Sequence, residues 1–263
     1  MRLYQSAAGY DLTHEVSAGT ITLSITDGAG AVVATDLEAT IASGTATVHV
    51  ASLPYFDTYK LAWSDGFVEF ADLCQRPYFT VDDFRGYNTG AKLSSTITDA
   101  AIEDTRLQVE DVFDMAAGHA FCQRGNRETI VGDNRAVYEL EVAGVTDVLS
   151  CTVNGTATNV VVRDGMRMLF GAIIKAGATI EVHYLHGDVS PAGALKHNAM
   201  VYANALIGAP SVNPRATGMQ SEFGYAKFAV AGKDGATGIP EVDAFLSADA
   251  SKGGHGIKRY VIA

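Results

Sequence analysis

The sequence predicts an α+β fold, in which an N-terminal β-sandwich is followed by a domain of a few helices with inserted β-hairpins. The 263-residue chain is 48% hydrophobic and 19% charged, which is typical of a folded protein and excludes disorder as its main state. Residues 11–73 alternate apolar and polar side chains in short runs, as strands do. Helical periodicity begins near Thr98 and returns after Pro191, with further strand-like runs between these two segments.

The N-terminal strands come first. In one of them Ile21, Leu23 and Ile25 share a face, and the sequences Asp27–Gly30 and Asp65-Gly66 supply turn residues that tolerate positive φ. Strands at this spacing predict a small sandwich resembling an immunoglobulin-like module over residues 1–75. The predicted strands are Asp11–Val16, Thr20–Thr26, Ala31–Thr35, Gly44–Ala51, Thr58–Ser64 and Phe67–Leu73.

The alternating pattern stops near Gln75, and residues 76–92 are predicted to be a linker because glycine, proline and the pair Asp82-Asp83 interrupt it. Residues 93–212 then form the predicted core of the second domain. Its first helix begins at Thr98 or Asp99, ends near His119, and buries an apolar face. The opposite face is predicted to be solvated, with Leu107 as its one apolar residue; its acids are Asp99, Glu103, Glu110, Asp111 and Asp114.

Two hairpins and a second helix follow. The dipeptides Asn154-Gly155 and Asp164-Gly165 are strong hairpin signals, since type I′ turns need positive φ at both central residues. Pro191 opens a helix that ends near Ile207, with Leu195 on one apolar side and Met200 on another. A helix that is apolar on two sides is expected to pack against its own domain and against a neighbouring subunit. The predicted strands are Val137–Ala143, Leu149–Val153, Thr158–Arg163, Met166–Phe170 and Thr179–Leu185.

Residues 213–263 are predicted to be an extended docking segment that contains a strand-like Met219–Val230 and a short helix from Pro240 to Leu246. No acid follows Asp249, and Lys252, Lys258 and Arg259 give the last residues a charge of +3. A basic tail of this kind suits docking on an acidic partner, with a frayed terminus as the alternative.

Several function classes are disfavoured. The formal charge of −11 argues against a protein that grips nucleic acid, and nine acids against two bases make residues 1–75 the most acidic part, at −7. Motifs for nucleotide binding and serine hydrolysis are absent. His183 and His186 point to opposite faces of a strand, so no metal site is expected. We therefore expect no enzyme and no cofactor.

Export and membrane insertion are not expected either. Residues 1–10 lack an apolar core, and no run of 18 apolar residues occurs. The cysteines Cys74, Cys122 and Cys151 are expected to be reduced thiols in a chain that is made and kept in a cytoplasm.

From Ser94 onward, over about 170 residues, the chain resembles the head-tail connector proteins, or head-to-tail adaptors, of long-tailed bacteriophages. The likeness lies in a helix ending Gly118-His-Ala-Phe121 before Cys122-Gln-Arg124, in the turn Thr152-Val-Asn-Gly155, and in His183-Tyr-Leu-His-Gly187 before the Pro-led helix. It continues in Asn213-Pro-Arg-Ala216 and in Thr237-Gly-Ile-Pro-Glu-Val-Asp-Ala-Phe-Leu246. The N-terminal module departs from the family, whose compact members begin near the first helix.

The resemblance implies a virion neck protein that forms a ring, expected to be dodecameric, between the portal and the next neck or tail protein. DNA would pass through without specific binding, and lumen carboxylates would repel its phosphates. The hairpins around Asn154 and Asp164 would meet neighbours or the next ring. The candidates for channel lining are Glu103, Asp104, Glu110, Asp111 and Asp114; for portal docking, Arg215, Lys252, Lys258, Arg259 and Tyr260; and for subunit interfaces, Leu107, Met200 and Ile207.

Three alternatives stay open at this point. The chain could be another neck or tail ring protein, such as a head-completion or tail-terminator protein. It could be a carbohydrate-binding or cell-surface β-protein, for which the predicted exposed aromatics are Tyr55, Phe56 and Tyr59. Such a protein would require an export signal. An enzyme acting on polysaccharide would want acids and aromatics on one long β-scaffold, whereas the acids here cluster on a helix.

Overall fold

Strands dominate the structure and helices follow or interrupt them, which agrees with the predicted α+β class. The structure is a computed structural model that describes residues 1–17, 19–87, 97–189, 193–208, 218–221, 224–227 and 237–252. The chain divides into two units. Unit 1 comprises Met1–Arg76 and Cys122–Val189, and unit 2 comprises Pro77–Phe121 and Ser190–Ala263.

The elements are numbered in chain order. The strands are β1 Arg2–Tyr4, β2 Tyr10–Glu15, β3 Thr22–Thr26, β4 Val32–Glu38, β5 Thr40–Ala42, β6 Thr45–Val50, β7 Thr58–Trp63, β8 Val68–Cys74, β9 Arg124–Val131, β10 Arg135–Glu139, β11 Val145–Val153, β12 Thr156–Ala157, β13 Val160–Arg163, β14 Arg167–Ile174, β15 Thr179–His186, β16 Gly218–Ser221 and β17 Gly224–Lys227. The helices are α1 Val81–Tyr87, α2 Asp99–Ala117, α3 Ala194–Gly208 and α4 Pro240–Lys252.

A nine-stranded sheet contains strands from both chain segments of unit 1. Its order is β12-β11-β15-β9-β8-β7-β3-β4, and β1 pairs in parallel with β8. A three-stranded sheet β2-β6-β5 packs on the N-terminal half, and a second one, β10-β14-β13, accompanies the other half. Leu12 and Val48 of the small sheet share a core with Leu23 and Leu61 of the large one. Burying each such side chain contributes about 1.5–3 kcal/mol.

The six N-terminal strands predicted from alternation are all present, within a few residues of their expected ends. The short strands β1 and β5 were not predicted. The two sheets share a core, whereas the immunoglobulin-like sandwich stays a prediction.

Strand β9 joins the two halves of unit 1 and was missed. It pairs along its length with β15, and Arg124 at its start pairs with Cys74 of β8. Residues 1–76 therefore share one sheet with residues 122–189, instead of ending in a separate domain near Gln75. The reason is a long-range strand pairing, which alternation within one segment does not reveal.

The predicted hairpin turns are confirmed by their backbone angles. Asn154 and Gly155 have φ of 50° and 76° and connect β11 to β12. Asp164 and Gly165 have φ of 52° and 65° and lie between β13 and β14, where Arg163 pairs with Arg167.

Unit 2 contains the helices, and α2 agrees closely with its predicted bounds. The hydroxyl of Thr98 accepts a hydrogen bond from the N–H of Ala101, and Gly118 ends the helix in the left-handed conformation at φ 75°. The predicted linker, by contrast, contains helix α1, whose Phe84 is fully buried. The prediction failed there because Asp82, Asp83 and Gly86 suggested a loop, while the buried aromatic ring stabilises a helical turn.

The two later helices are present, and α4 is longer than the predicted segment from Pro240 to Leu246. Where one strand was predicted over Met219–Val230, the described residues form two short antiparallel strands, β16 and β17. Within the parts of the chain that the structure describes, none of the helices has both the length and the apolarity to cross a membrane.

Candidate functional site

Helix α2 carries the five carboxylates predicted to line a channel, and the structure separates them into two groups. Glu103, Asp104 and Asp111 are exposed. Glu110 is only 1% exposed, and Asp114 is half-buried. Three of the five are therefore at the surface of the chain, where their role in a lumen stays a prediction.

Glu110 and Asp114 instead accept hydrogen bonds from residues that precede and follow helix α2. Glu110 accepts a hydrogen bond from the backbone N–H of Tyr78 at 3.1 Å and lies 3.9 Å from Arg106, one turn earlier. Asp114 accepts hydrogen bonds from the hydroxyl of Tyr78 and from the backbone N–H of Phe121, the latter at 3.3 Å. The prediction that Glu110 lies on a solvated face is wrong, because a buried amide supplies a partner that makes its burial tolerable.

The three subunit-interface candidates have different surroundings. Leu107 and Ile207 are half-buried, so part of each side chain is accessible to a partner. Met200 is buried within the chain itself. The second apolar side of helix α3 is thus covered at Met200, which leaves Leu107 and Ile207 as candidates.

The portal-docking candidates cannot be placed. Arg215, Lys258, Arg259 and Tyr260 lie outside the described residues. Lys252 is the last residue of helix α4, and its side chain also lies outside them.

Unit 1 contains a buried polar cluster that the sequence did not predict. We call it the Asp–Arg cluster; its members are Asp27, Tyr55, Asp57, Arg127 and His183. Arg127 donates from Nε to Asp57 Oδ2 at 2.9 Å and from Nη2 to Asp27 Oδ2 at 3.4 Å. The hydroxyl of Tyr55 donates to Asp27 Oδ2, and the guanidinium of Arg127 lies 5.9 Å from the centre of the Tyr55 ring.

Local backbone geometry positions both carboxylates. Asp27 Oδ1 accepts from the N–H groups of Ala29 and Ala31 at 2.9 and 2.8 Å, which fixes the turn between β3 and β4. Asp57 accepts from the N–H of Thr58 at 2.9 Å and from the N–H of Gly28 at 3.1 Å. Each of the four carboxylate oxygens therefore has a hydrogen-bond donor.

Strand β9 reaches the cluster because Gly125 lets two backbones approach closely. A Cβ atom at Gly125 would lie 1.8 Å from the carbonyl oxygen of Phe56. That same carbonyl oxygen lies 3.2 Å from His183 Nε2 on strand β15. The cluster thus fastens residues 27–57 to strands β9 and β15.

The charges in the cluster stabilise one another. Burial alone would raise the pKa of Asp27, but the hydrogen bonds from Tyr55 and Ala31 and the charge of Arg127 lower it overall. Burial opposes the charge of Arg127, yet the hydrogen bond to Asp57 and the charges of Asp57 and Asp27 raise its pKa. Burial, and then the charge of Arg127, lower the pKa of His183. The arrangement is an ion-pair network of Asp27, Asp57 and Arg127 with His183 beside it.

His186 and the three cysteines lie in the interior of the chain. Burial, with the charge of Arg124, lowers the pKa of His186 to about 4. Cys74, Cys122 and Cys151 are all buried, and burial raises the pKa of the Cys151 thiol. Across the described ranges, no three His, Cys, Asp or Glu side chains come together as a metal ion would require.

The aromatics that suggested a carbohydrate surface are not exposed. Tyr59 is fully buried, and Tyr55 and Phe56 are half-buried. Tyr59 donates its hydroxyl hydrogen to the carbonyl oxygen of Tyr55 at 2.6 Å, which attaches the buried Tyr59 to the Asp–Arg cluster. The prediction of an exposed platform at these three residues is wrong.

Comparison with known proteins finds similarity to solved structures only. The chain matches no protein-family model and no curated protein. It is similar to a chain in the neck of an empty GTA particle, a structure computed with C6 symmetry, at 16% sequence identity and a TM-score of 0.43. The similarity covers 53% of this chain and 82% of the other.

Proposed function

We propose that this protein is a structural subunit of a phage neck: a head-to-tail adaptor that forms a ring under the portal and joins the DNA-filled head to the tail. The role needs no catalysis and no cofactor. The observation that carries the proposal is the way the closing run, Thr237–Leu246, folds against helix α2, because this run is part of the resemblance to the head-tail connectors.

The residues of the closing run either form hydrogen bonds at the start of helix α4 or bury apolar side chains. Thr237 donates from its N–H and its hydroxyl to Asp243 Oδ1 at 2.9 and 3.0 Å, and Ile239 donates from its N–H to the Thr237 hydroxyl at 3.1 Å. Pro240 then begins helix α4, as proline favours the first helical turn. Val242 and Leu246 are buried. The run therefore encodes a capped helix with one apolar side.

Aromatic contacts attach this helix to α2. The ring centre of Phe245 lies 6.4 Å from that of Phe113 on α2 and 5.6 Å from that of Phe121. Phe113 in turn stacks on Tyr202 of α3, at 6.1 Å. Helices α2, α3 and α4 thus share one core, while strands β9–β15 are inserted in the sequence between α2 and α3. A helical core with inserted hairpins is what the resemblance implies for a connector.

The acidic surface fits a passage for DNA. In a ring, the exposed Glu103, Asp104 and Asp111 would face the duplex, and repulsion of its phosphates would let it slide. The net charge of −11 acts in the same direction. A dodecameric ring, assembly in the host cytoplasm and a final location in the virion neck belong to the same proposal.

The first experiment measures the mass of the purified full-length chain by light scattering, alone and after mixing with DNA-filled heads that carry a portal. We expect a ring that co-sediments with these heads and not with portal-free heads, which serve as the control. A ring that binds isolated tails instead would favour a tail terminator. A monomer that ignores heads and tails would overturn the proposal.

A second experiment tests the lumen. Neutralising the exposed acids of α2 should leave the ring intact but increase its retention on duplex DNA, measured by pull-down at several salt concentrations. If neutralising three acids elsewhere has the same effect, α2 does not line the passage. The test substitutions are Glu103→Gln, Asp104→Asn and Asp111→Asn, and the control substitutions are Glu15→Gln, Asp36→Asn and Glu38→Gln, which are also exposed.

A further inference from the structure

A cleft of about 400 Å³ lies beside the Asp–Arg cluster, within unit 1. Its lining includes Lys60 of β7, which pairs with Thr26 of β3 on one side and with Phe70 of β8 on the other. Asn126 and Arg127 of β9 also line it. Tyr59 and Leu61, the neighbours of Lys60 along its strand, point into the core, so Lys60 points away from it.

Phe70 gives this cleft a flat apolar wall. It is 59% exposed, although phenylalanine side chains are more often buried. Polar groups surround it: an ammonium at Lys60 and a hydroxyl at Thr26, while Asn126 lines the cleft with its Nδ2 already donating to the hydroxyl of Tyr184 at 2.8 Å. An aromatic face surrounded by a few hydrogen-bonding groups suits a ligand with one apolar side and several hydroxyls.

The charges of the lining sum to zero. Asp27 and Asp57 are balanced by Arg127 and Lys60. The two carboxylates are already engaged by Arg127 and by backbone N–H groups, which leaves no uncompensated anion to hold a cation. Lys60 makes no ion pair with any residue that the structure describes, so its ammonium remains a donor for a ligand. A neutral ligand therefore fits this lining better than a phosphate or a metal ion.

We propose that this cleft binds a neutral saccharide, whose ring packs on Phe70 while its hydroxyls form hydrogen bonds with Lys60 and Thr26. The cleft volume is within the usual range for small-ligand sites. The Asp–Arg cluster holds Arg127 rigidly beside the site, and a preformed wall reduces the entropy lost on binding. The proposal adds a recognition site to the neck protein and does not depend on ring formation.

The test uses the full-length protein and a panel of neutral mono- and oligosaccharides built from glucose, galactose, mannose and N-acetylglucosamine. Saturation-transfer NMR identifies the binders, and calorimetry measures their Kd. We expect at least one to bind at millimolar Kd or tighter. Phe70→Ala should weaken it about tenfold, and Lys60→Ala should weaken it several-fold, because each removes a direct contact.

Phe67→Ala is the matched control, since Phe67 is another aromatic of unit 1, is 46% exposed and does not line the cleft. It should leave the Kd unchanged. Inorganic phosphate and a sulfated disaccharide are the anionic probes. The proposal is overturned if no neutral saccharide binds, if Phe70→Ala binds as well as the wild type, or if only the anionic probes bind. Because Phe70→Ala should still assemble with heads, failure here is distinguishable from failure of the adaptor function.

Discussion

Replacing Arg127 by alanine tests whether the Asp–Arg cluster fastens the two halves of unit 1. The substitution removes the cation that contacts the buried Asp27 and Asp57 and leaves their charges without it. Breaking a buried ion pair from one side costs about 3–5 kcal/mol. Both carboxylates keep backbone N–H donors, and the Arg127 side chain is 24% exposed. We therefore expect the free energy of unfolding to decrease by about 3 kcal/mol, the lower end of this range.

For a unit of this size, each kcal/mol shifts the melting temperature by about 2–4 °C, so the variant should melt roughly 6–12 °C below the wild type. Calorimetry at pH 7, supported by urea unfolding, measures the change. The control is Arg135→Ala, which removes an arginine that is 72% exposed and pairs with Asp133. An exposed pair contributes less than about 1 kcal/mol, so this control should melt close to the wild type.

The dependence of stability on pH below neutrality gives a second test of the same cluster. The pKa of Asp27 is lowered in the folded chain, so its stabilisation is present above the ordinary value of about 3.9 and is lost as the pH falls through the lower folded pKa. Without Arg127 that folded pKa should rise, and acid unfolding should begin at higher pH. Equal melting temperatures at pH 7, or the same dependence of stability on pH below neutrality, would refute the role of the cluster.

Two further predictions concern the same unit. Gly125→Ala should destabilise it by more than about 1 kcal/mol, because the added methyl group would meet the carbonyl oxygen of Phe56; a neutral effect in urea unfolding would contradict the close approach of β9. Burial lowers the pKa of His186 to about 4. The free energy of unfolding should therefore decrease as the pH falls from about 6.5 towards 4, because the unfolded chain takes up the proton first. An NMR titration midpoint near the ordinary value would show that His186 is not buried in this way.

Alternation predicted strands well where one face is buried and the other is solvated. In β3 and β7, apolar residues such as Leu23, Ile25 and Leu61 are fully buried and their neighbours are not, so the period of two is visible in the sequence. The turns at Asn154 and Asp164 were predictable because few residues tolerate positive φ.

Strand β9 lacked that signal. Its sequence from Arg124 to Ile130 is mostly polar, and all but one of these residues are half-buried, so neither face is marked as apolar. Its polar groups find partners far away in sequence: Arg127 reaches Asp57, and Asn126 donates to the hydroxyl of Tyr184. Pairing of this kind depends on tertiary contacts, which a local pattern does not record.

The candidate sites were harder still to predict. The members of the Asp–Arg cluster are spread from residue 27 to residue 183, and each alone resembles an ordinary turn or strand residue. The one local hint was Asp27, whose position before Gly28 predicted a turn that its carboxylate indeed stabilises. Glu110 lies beside the apolar stripe of α2, next to the buried Val109 and Phe113. A carboxylate at that position needs a polar partner.

The position of β9 changes how the N-terminal strands should be understood. The sequence resemblance begins only at Ser94, which suggested that residues 1–75 are a separate, added module. In this structure β9 meets β8 at Cys74, approaches Phe56 at Gly125 and anchors Arg127 on Asp57. Without residues 1–75, Arg127 would lose both carboxylate partners and β9 would become an exposed edge. The N-terminal strands are therefore part of the fold that presents the hairpins, so the hairpin surfaces depend on them for their stability.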